Sequence, residues 1–234
     1  MLIQWEGEVR QIKVMFLGLI GFAVLANGCT HKKTESQTAY PKHWWQSVPS
    51  QELKSWEISP DQAKPGEVIL SKRNELGLLS NFAATPFTFR GNRYASLEGF
   101  WQSMKYPESE NDVRSKNLSK DWKFDRRQVA KMVAFEAKRA GDLGSENMKE
   151  LGIDWVTFEG QKITYRDPQK GMHYRLIYQA TVEKLKQNPQ VMKVLMATRG
   201  LTLKPDHHQK PDAPPAWKYY EILQEIRDKD AEIN

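Results

Sequence analysis

From about residue 43 onward the chain breaks into short apolar runs separated by turn residues, and its longer segments repeat apolar positions at helical spacing. Glu67-Val68-Ile69-Leu70 follows the Pro65-Gly66 turn and predicts a short buried strand. Phe87-Thr88-Phe89 and Tyr94 flank Arg90-Gly91-Asn92-Arg93, the pattern of a hairpin. Ser96 is placed to cap a helix over 97–106, which Pro107 ends. Val129, Met132, Val133 and Phe135 predict a helix over 127–139, with Gly141 as its stop signal. Residues 155–165 alternate around Gly160 as a second hairpin. Three more helices follow, over 171–187, 191–197 and 217–230, with a loop rich in proline and histidine over 204–216. Helices outnumber strands and nothing repeats, so the expected fold class is α+β, a compact helix-rich single domain.

Composition narrows the classes. Lys and Arg number 35 against 29 Asp and Glu, a net charge of +6, and 39% of residues are hydrophobic. Long disorder, collagen and a multi-span membrane protein are excluded. The positive charge is scattered without a basic run, so there is no strong nucleic-acid signature. The single cysteine excludes a disulfide framework and a Cys-rich zinc site. No metal is expected: His207-His208 lack a partner at ligand spacing and predict a surface loop pair.

The apolar run over 14–26 carries no charge and is shorter than the roughly 20 residues a spanning helix needs. With Arg10 and Lys13 before it, it fits the core of a secretory signal. Leu25-Ala26-Asn27-Gly28-Cys29 resembles the lipobox of bacterial lipoproteins, in which the cysteine is lipidated. The implied organisation is a signal peptide over 1–28, a tether over 29–42, an aromatic and proline-rich arm over 43–66 and a catalytic domain over 67–230. The implied location is a membrane, through a lipid on Cys29, facing the periplasm or the exterior. Thr30 after the cysteine favours the outer membrane in a Gram-negative cell. A misassigned start would leave the protein cytoplasmic.

On the helix over 97–106, Glu98, Gln102 and Lys105 stand at i, i+4 and i+7 and share one face. Leu97, Trp101 and Met104 form an apolar stripe beside them. An acid, an amide and an amine thus line up next to a wall able to exclude water. On residue pattern alone, a solvated helix face is the plainer reading.

Leu79-Ser80-Asn81-Phe82-Ala83, then Pro86-Phe87, Gly91, Tyr94, Ser96, Glu98, Gln102 and Lys105 resemble the NADAR superfamily of YbiA-like N-glycosidases. The likeness runs without a gap from Asn81 to Lys105 and, more loosely, over 68–230. It implies a compact α+β enzyme cleaving an N-glycosidic bond to ribose, in a phosphoribosyl or ADP-ribosyl compound, without cofactor. By position, Glu98 is the catalytic glutamate and Lys105 the lysine that forms an imine with the anomeric carbon. Ser80, Asn81, Phe82 and Gln102 would bind substrate, and Arg73 a phosphate. Asp212 and Trp217 are the counterparts of an acid and a tryptophan near the C-terminus. The chain departs from the pattern where Gly99 replaces a histidine, where Thr164-Tyr165-Arg166 replace a tryptophan, and where prolines replace glycines in the loop over 204–216. Those departures support an alternative: an envelope lipoprotein that binds nucleotides or ADP-ribose without turnover.

Overall fold

The computed structural model describes residues 40–115 and 124–233, which belong to one compact unit, Ala39–Asn234. Cys29, the signal sequence and most of the expected tether lie outside the described residues. Among those described, three two-stranded sheets and six α-helices make an α+β fold.

Strand β1 (Glu67–Ile69) is the first of six. Strands β2 (Phe87–Phe89) and β3 (Asn92–Tyr94) form the first hairpin, turned at Arg90 and Gly91, both at positive φ. Phe87 and Phe89 point inward while Thr88 is exposed, as the period of two requires. Helix α1 (Leu97–Ser103) follows at once. It is capped by Ser96, whose hydroxyl accepts from Gly99 N–H at 2.9 Å and donates to the Met132 carbonyl at 2.8 Å. Helix α1 ends at Ser103, earlier than expected, because Met104, Lys105 and Tyr106 tighten into turns bonded three residues back.

The single helix expected over 127–139 is two. Helix α2 (Arg126–Ala130) starts in a capping box between Asp125 and Gln128, and helix α3 (Ala134–Glu150) begins after a break. The break arises because the carbonyls that would continue α2 are taken by the entry to α1. Ala130 accepts from Ala95 N–H at 3.0 Å and Met132 from Ser96. Helix α3 then runs through Gly141 and Gly144 rather than stopping there. A Cβ on Gly141 would collide with the Gln102 amide, and one on Gly144 would come 3.0 Å from Lys105 Cβ. Close approach to α1 is thus what both glycines provide.

Strands β4 (Trp155–Phe158) and β5 (Gln161–Thr164) form the second hairpin. Helices α4 (Met172–Gln187) and α5 (Pro189–Ala197) meet at Asn188, whose side-chain amide donates to the Pro86 and Lys184 carbonyls. Strand β6 (Thr202–Lys204) pairs in parallel with β1, Val68 opposite Leu203. A 3-10 turn, Pro215–Trp217, precedes the last helix, α6 (Tyr219–Ile233). Phe100 of α1 is the centre of an aromatic core, with Tyr94, Phe89 and Phe158 at ring distances of 4.9, 5.6 and 5.7 Å. The arm contributes to the same core: Trp44 is buried there, its indole N–H bonded to Glu75 at 2.7 Å.

Candidate active site

A cleft of about 530 Å³ opens between α1, the start of α3, the loop after Leu79 and the loop before α6. Glu98, Gln102 and Lys105 line one wall, each nearly inaccessible to water. The N–H of Glu98 donates to the Asn81 carbonyl at 2.9 Å, so the loop Ser80-Asn81-Phe82 is laid directly along α1. All three of those loop residues line the cleft, and the Ser80 hydroxyl accepts from Phe82 N–H at 3.2 Å.

The carboxyl of Glu98 accepts from Gln102 Nε2 at 2.7 Å. Burial raises its pKa; that hydrogen bond and the charge of Lys105 oppose the rise without cancelling it. Lys105 Nζ donates to Ser145 Oγ at 2.8 Å and to the Gly141 carbonyl at 3.2 Å. It lies 5.2 Å from the ring centre of Tyr165 and 6.0 Å from that of Trp101. Desolvation lowers its pKa to about 8, against the pull of Glu98 and Asp142. A carboxyl biased toward its neutral form and an amine biased toward its free base therefore share one wall.

The adjoining wall is aromatic. Trp101, Tyr165 and Trp217 pack within 5.5 to 6.0 Å of one another. His173 packs against Trp101 at 4.8 Å with the rings tilted, and burial lowers its pKa to about 4, so it is neutral at physiological pH. Trp101 packs on the core and lines the cleft at the same time.

Two of the expected site residues are elsewhere. Arg73 does not line the cleft: its guanidinium binds Glu57 at 2.5 and 2.7 Å and donates to the Glu52 carbonyl at 2.7 Å. The cation that does line it is the neighbour, Lys72, paired with buried Asp206. Asp212 is exposed and outside the cleft, because the turn Lys210–Ala213 and the prolines on either side carry it outward. Gln209 and Trp217 line the cleft from that loop instead, joined by a bond from Gln209 Nε2 to the Trp217 carbonyl at 3.0 Å. Tyr165, Ser145, Lys72, Trp56 and Phe135 also line it without having been expected there, as do Lys138, Asp142, His207, Ala216 and Tyr219. Tyr165 carried one signal, its place where the resembling family has a tryptophan. Among the described residues no group of three or more His, Cys, Asp or Glu is disposed to hold a metal, and no helix is long and apolar enough to cross a membrane.

The structure also accounts for Gly99, the position where the resemblance predicts histidine. A Cβ there would come 2.6 Å from the Met132 carbonyl and 3.0 Å from that of Val129. The link between α2 and α3 occupies the space a side chain would need.

No protein-family description matches the chain, and no curated protein matches it. Among solved structures, the chain is similar to the NMR structure of the E. coli protein YbiA, with 16% identity over 79% of this chain and 94% of that one and a TM-score of 0.43.

Proposed function

We propose that the protein is an N-glycosidase that hydrolyses the bond between a ribosyl carbon and the nitrogen of a base, in a phosphoribosyl or ADP-ribosyl compound. The observation that carries the reading is the pairing on one cleft wall of a buried carboxyl held above its usual range with a buried amine held down to about 8. The sequence block from Leu79 to Lys105 supports the same assignment through its likeness to the NADAR superfamily.

In this reading the free amine of Lys105 attacks C1′ as the C1′–N bond breaks. The bond electrons leave with the base nitrogen, which takes a proton from the Glu98 carboxyl where the base departs as an anion, as guanine does; nicotinamide departs neutral and takes none. The Glu98 carboxylate then faces the positive charge developing on the sugar, where low dielectric strengthens the attraction. The ribosyl-lysine gives its ammonium proton to the Glu98 carboxylate, which restores the carboxyl, and opens to an imine. Water adds to the imine carbon and expels the amine, which restores Lys105 and frees the sugar. One water is consumed, and the products are the sugar and the free base. Asn81 and Gln102 supply amides for hydroxyls, and the wall of Trp101, Tyr165 and Trp217 keeps bulk water from the imine. The reading needs no cofactor, and it keeps the protein on a membrane through a lipid on Cys29.

The test is release of a free base, followed by mass spectrometry, from NAD, ADP-ribosylated guanosine and a ribosylaminopyrimidine phosphate. Release from at least one is expected, falling at least about a hundredfold in Lys105→Ala and in Glu98→Gln while the circular dichroism of both variants stays native. Release that persists unchanged in both variants overturns the assignment.

A further inference from the structure

We infer that the mouth of the cleft is a stacking subsite for a planar heteroaromatic ring, formed by Trp56, Phe82 and Phe135 beside the Lys72 ammonium, and that Trp56 selects the leaving base. The second half of this inference rests on the glycosidase reading; the first does not.

Three observations carry it. The rings are open where core rings are not: Trp56 is 36% exposed and Phe135 is 45% exposed, and both line the cleft. They meet edge to face, Phe82 against Phe135 at 5.2 Å and 83°, Trp56 against Phe135 at 5.9 Å and 61°. Each such contact covers a face of only one ring, and Lys72 lies over one face each of Trp56 and Phe82, so the exposed area of Trp56 and Phe135 is what a flat heterocycle stacks on.

The rings are also held in place. Ala134, immediately before Phe135, has φ of 49°, a conformation that residues with a Cβ rarely adopt. Its N–H donates to the Phe82 carbonyl at 3.2 Å, which ties two of the three rings together. On the other side, the arm carrying Trp56 is pinned by the Glu57–His207 bridge and by Ile58 N–H on the Asp206 carbonyl at 2.8 Å. The bidentate pair of Arg73 with Glu57 adds a third point of attachment. Such fixing of exposed apolar rings lowers the ordering cost of binding.

Charge then narrows the ligand. Lys72 Nζ lies 5.2 Å from the Trp56 ring centre and 5.5 Å from that of Phe82. A donor beside the stacking faces favours a ring that carries carbonyl oxygens over an apolar one. Trp56 belongs to the arm over 43–66, outside the part of the chain that resembles the NADAR superfamily, so this half of the subsite is this chain's own.

The test uses the full chain carrying Lys105→Ala, which removes turnover and leaves the mouth intact. Calorimetry is run with guanosine 5′-monophosphate, nicotinamide mononucleotide, flavin mononucleotide and ribose 5-phosphate. At least one ring-bearing ligand is expected to bind about tenfold more tightly than ribose 5-phosphate. Adding Trp56→Ala or Phe135→Ala weakens that ligand about fivefold or more and leaves ribose 5-phosphate unchanged, while Trp56→Phe retains most of the affinity. Ring ligands that bind no better than ribose 5-phosphate overturn the inference, as does ring affinity unmoved by Trp56→Ala. Ring binding by the wild type without base release would uphold the subsite and remove the glycosidase reading. Base release with unchanged ring affinity in Trp56→Ala would do the reverse.

Discussion

Lys184 lies fully inside the protein, its Nζ donating to the Ser80 carbonyl at 2.9 Å, behind the loop that lines the cleft. Burial lowers its pKa from the ordinary 10.5 to about 7. Between about pH 7 and 10 the unfolded chain therefore holds a proton there that the folded protein does not, so stability rises with pH across that window. Lys105 acts in the same direction from about pH 8. Above pH 10 the buried hydroxyls of Tyr106, Tyr165 and Tyr174, all held up, reverse the trend. Replacing Lys184 with Met should flatten the rise by close to one proton, about 1.4 kcal/mol per pH unit at most. Urea midpoints of wild type and Lys184→Met between pH 7 and 9.5 measure this, and parallel lines for the two would contradict it. Lys184 falls on the inward side of α4 by apolar spacing, where a sequence reading expects a hydrophobic residue. Nothing in the sequence near it signals the carbonyl it reaches, 104 residues away.

At the scale of elements, glycine carries the difference between expectation and structure. Gly141 reads as a helix stop by local rules, yet α3 continues past it because α1 needs the room. That contact is set by Gln102 and Lys105, which are distant in sequence, so local periodicity has no access to it. The two hairpins, by contrast, were legible, because alternation and turn residues are local. Strand β6 was not, since it pairs in parallel with the distant β1 and no hairpin turn marks it. Gly99 offers the sharpest test of this packing. Ala at 99 gains about 1 kcal/mol of helix propensity. The backbone carbonyl 2.6 Å from its Cβ cannot swing aside as a side chain would. A net loss of roughly 1–3 kcal/mol is expected for Gly99→Ala, seen as a lower Tm by calorimetry. An unchanged or raised Tm would mean that the link between α2 and α3 gives way easily.

Over the whole molecule, the block from Ser80 to Lys105 places its polar residues together, because one loop and one helix joined by the Glu98–Asn81 hydrogen bond carry them. Residues assigned from farther away fared differently. Arg73 fastens the arm rather than facing the cleft, and Asp212 is carried outward by prolines. Both depend on how separate segments meet, which a motif does not encode. The proposed membrane anchor has its own test: palmitate label should enter the wild-type protein in a bacterial host and vanish in Cys29→Ala, and an unlabelled wild type would remove the anchor from the account. The central claim is that Lys105 forms a covalent bond to the sugar. Borohydride added during turnover of a substrate that releases its base should reduce the imine and leave a ribosyl mass on the peptide containing Lys105, absent from Lys105→Ala. Turnover with no adduct, at a rate that Lys105→Ala leaves intact, would contradict it.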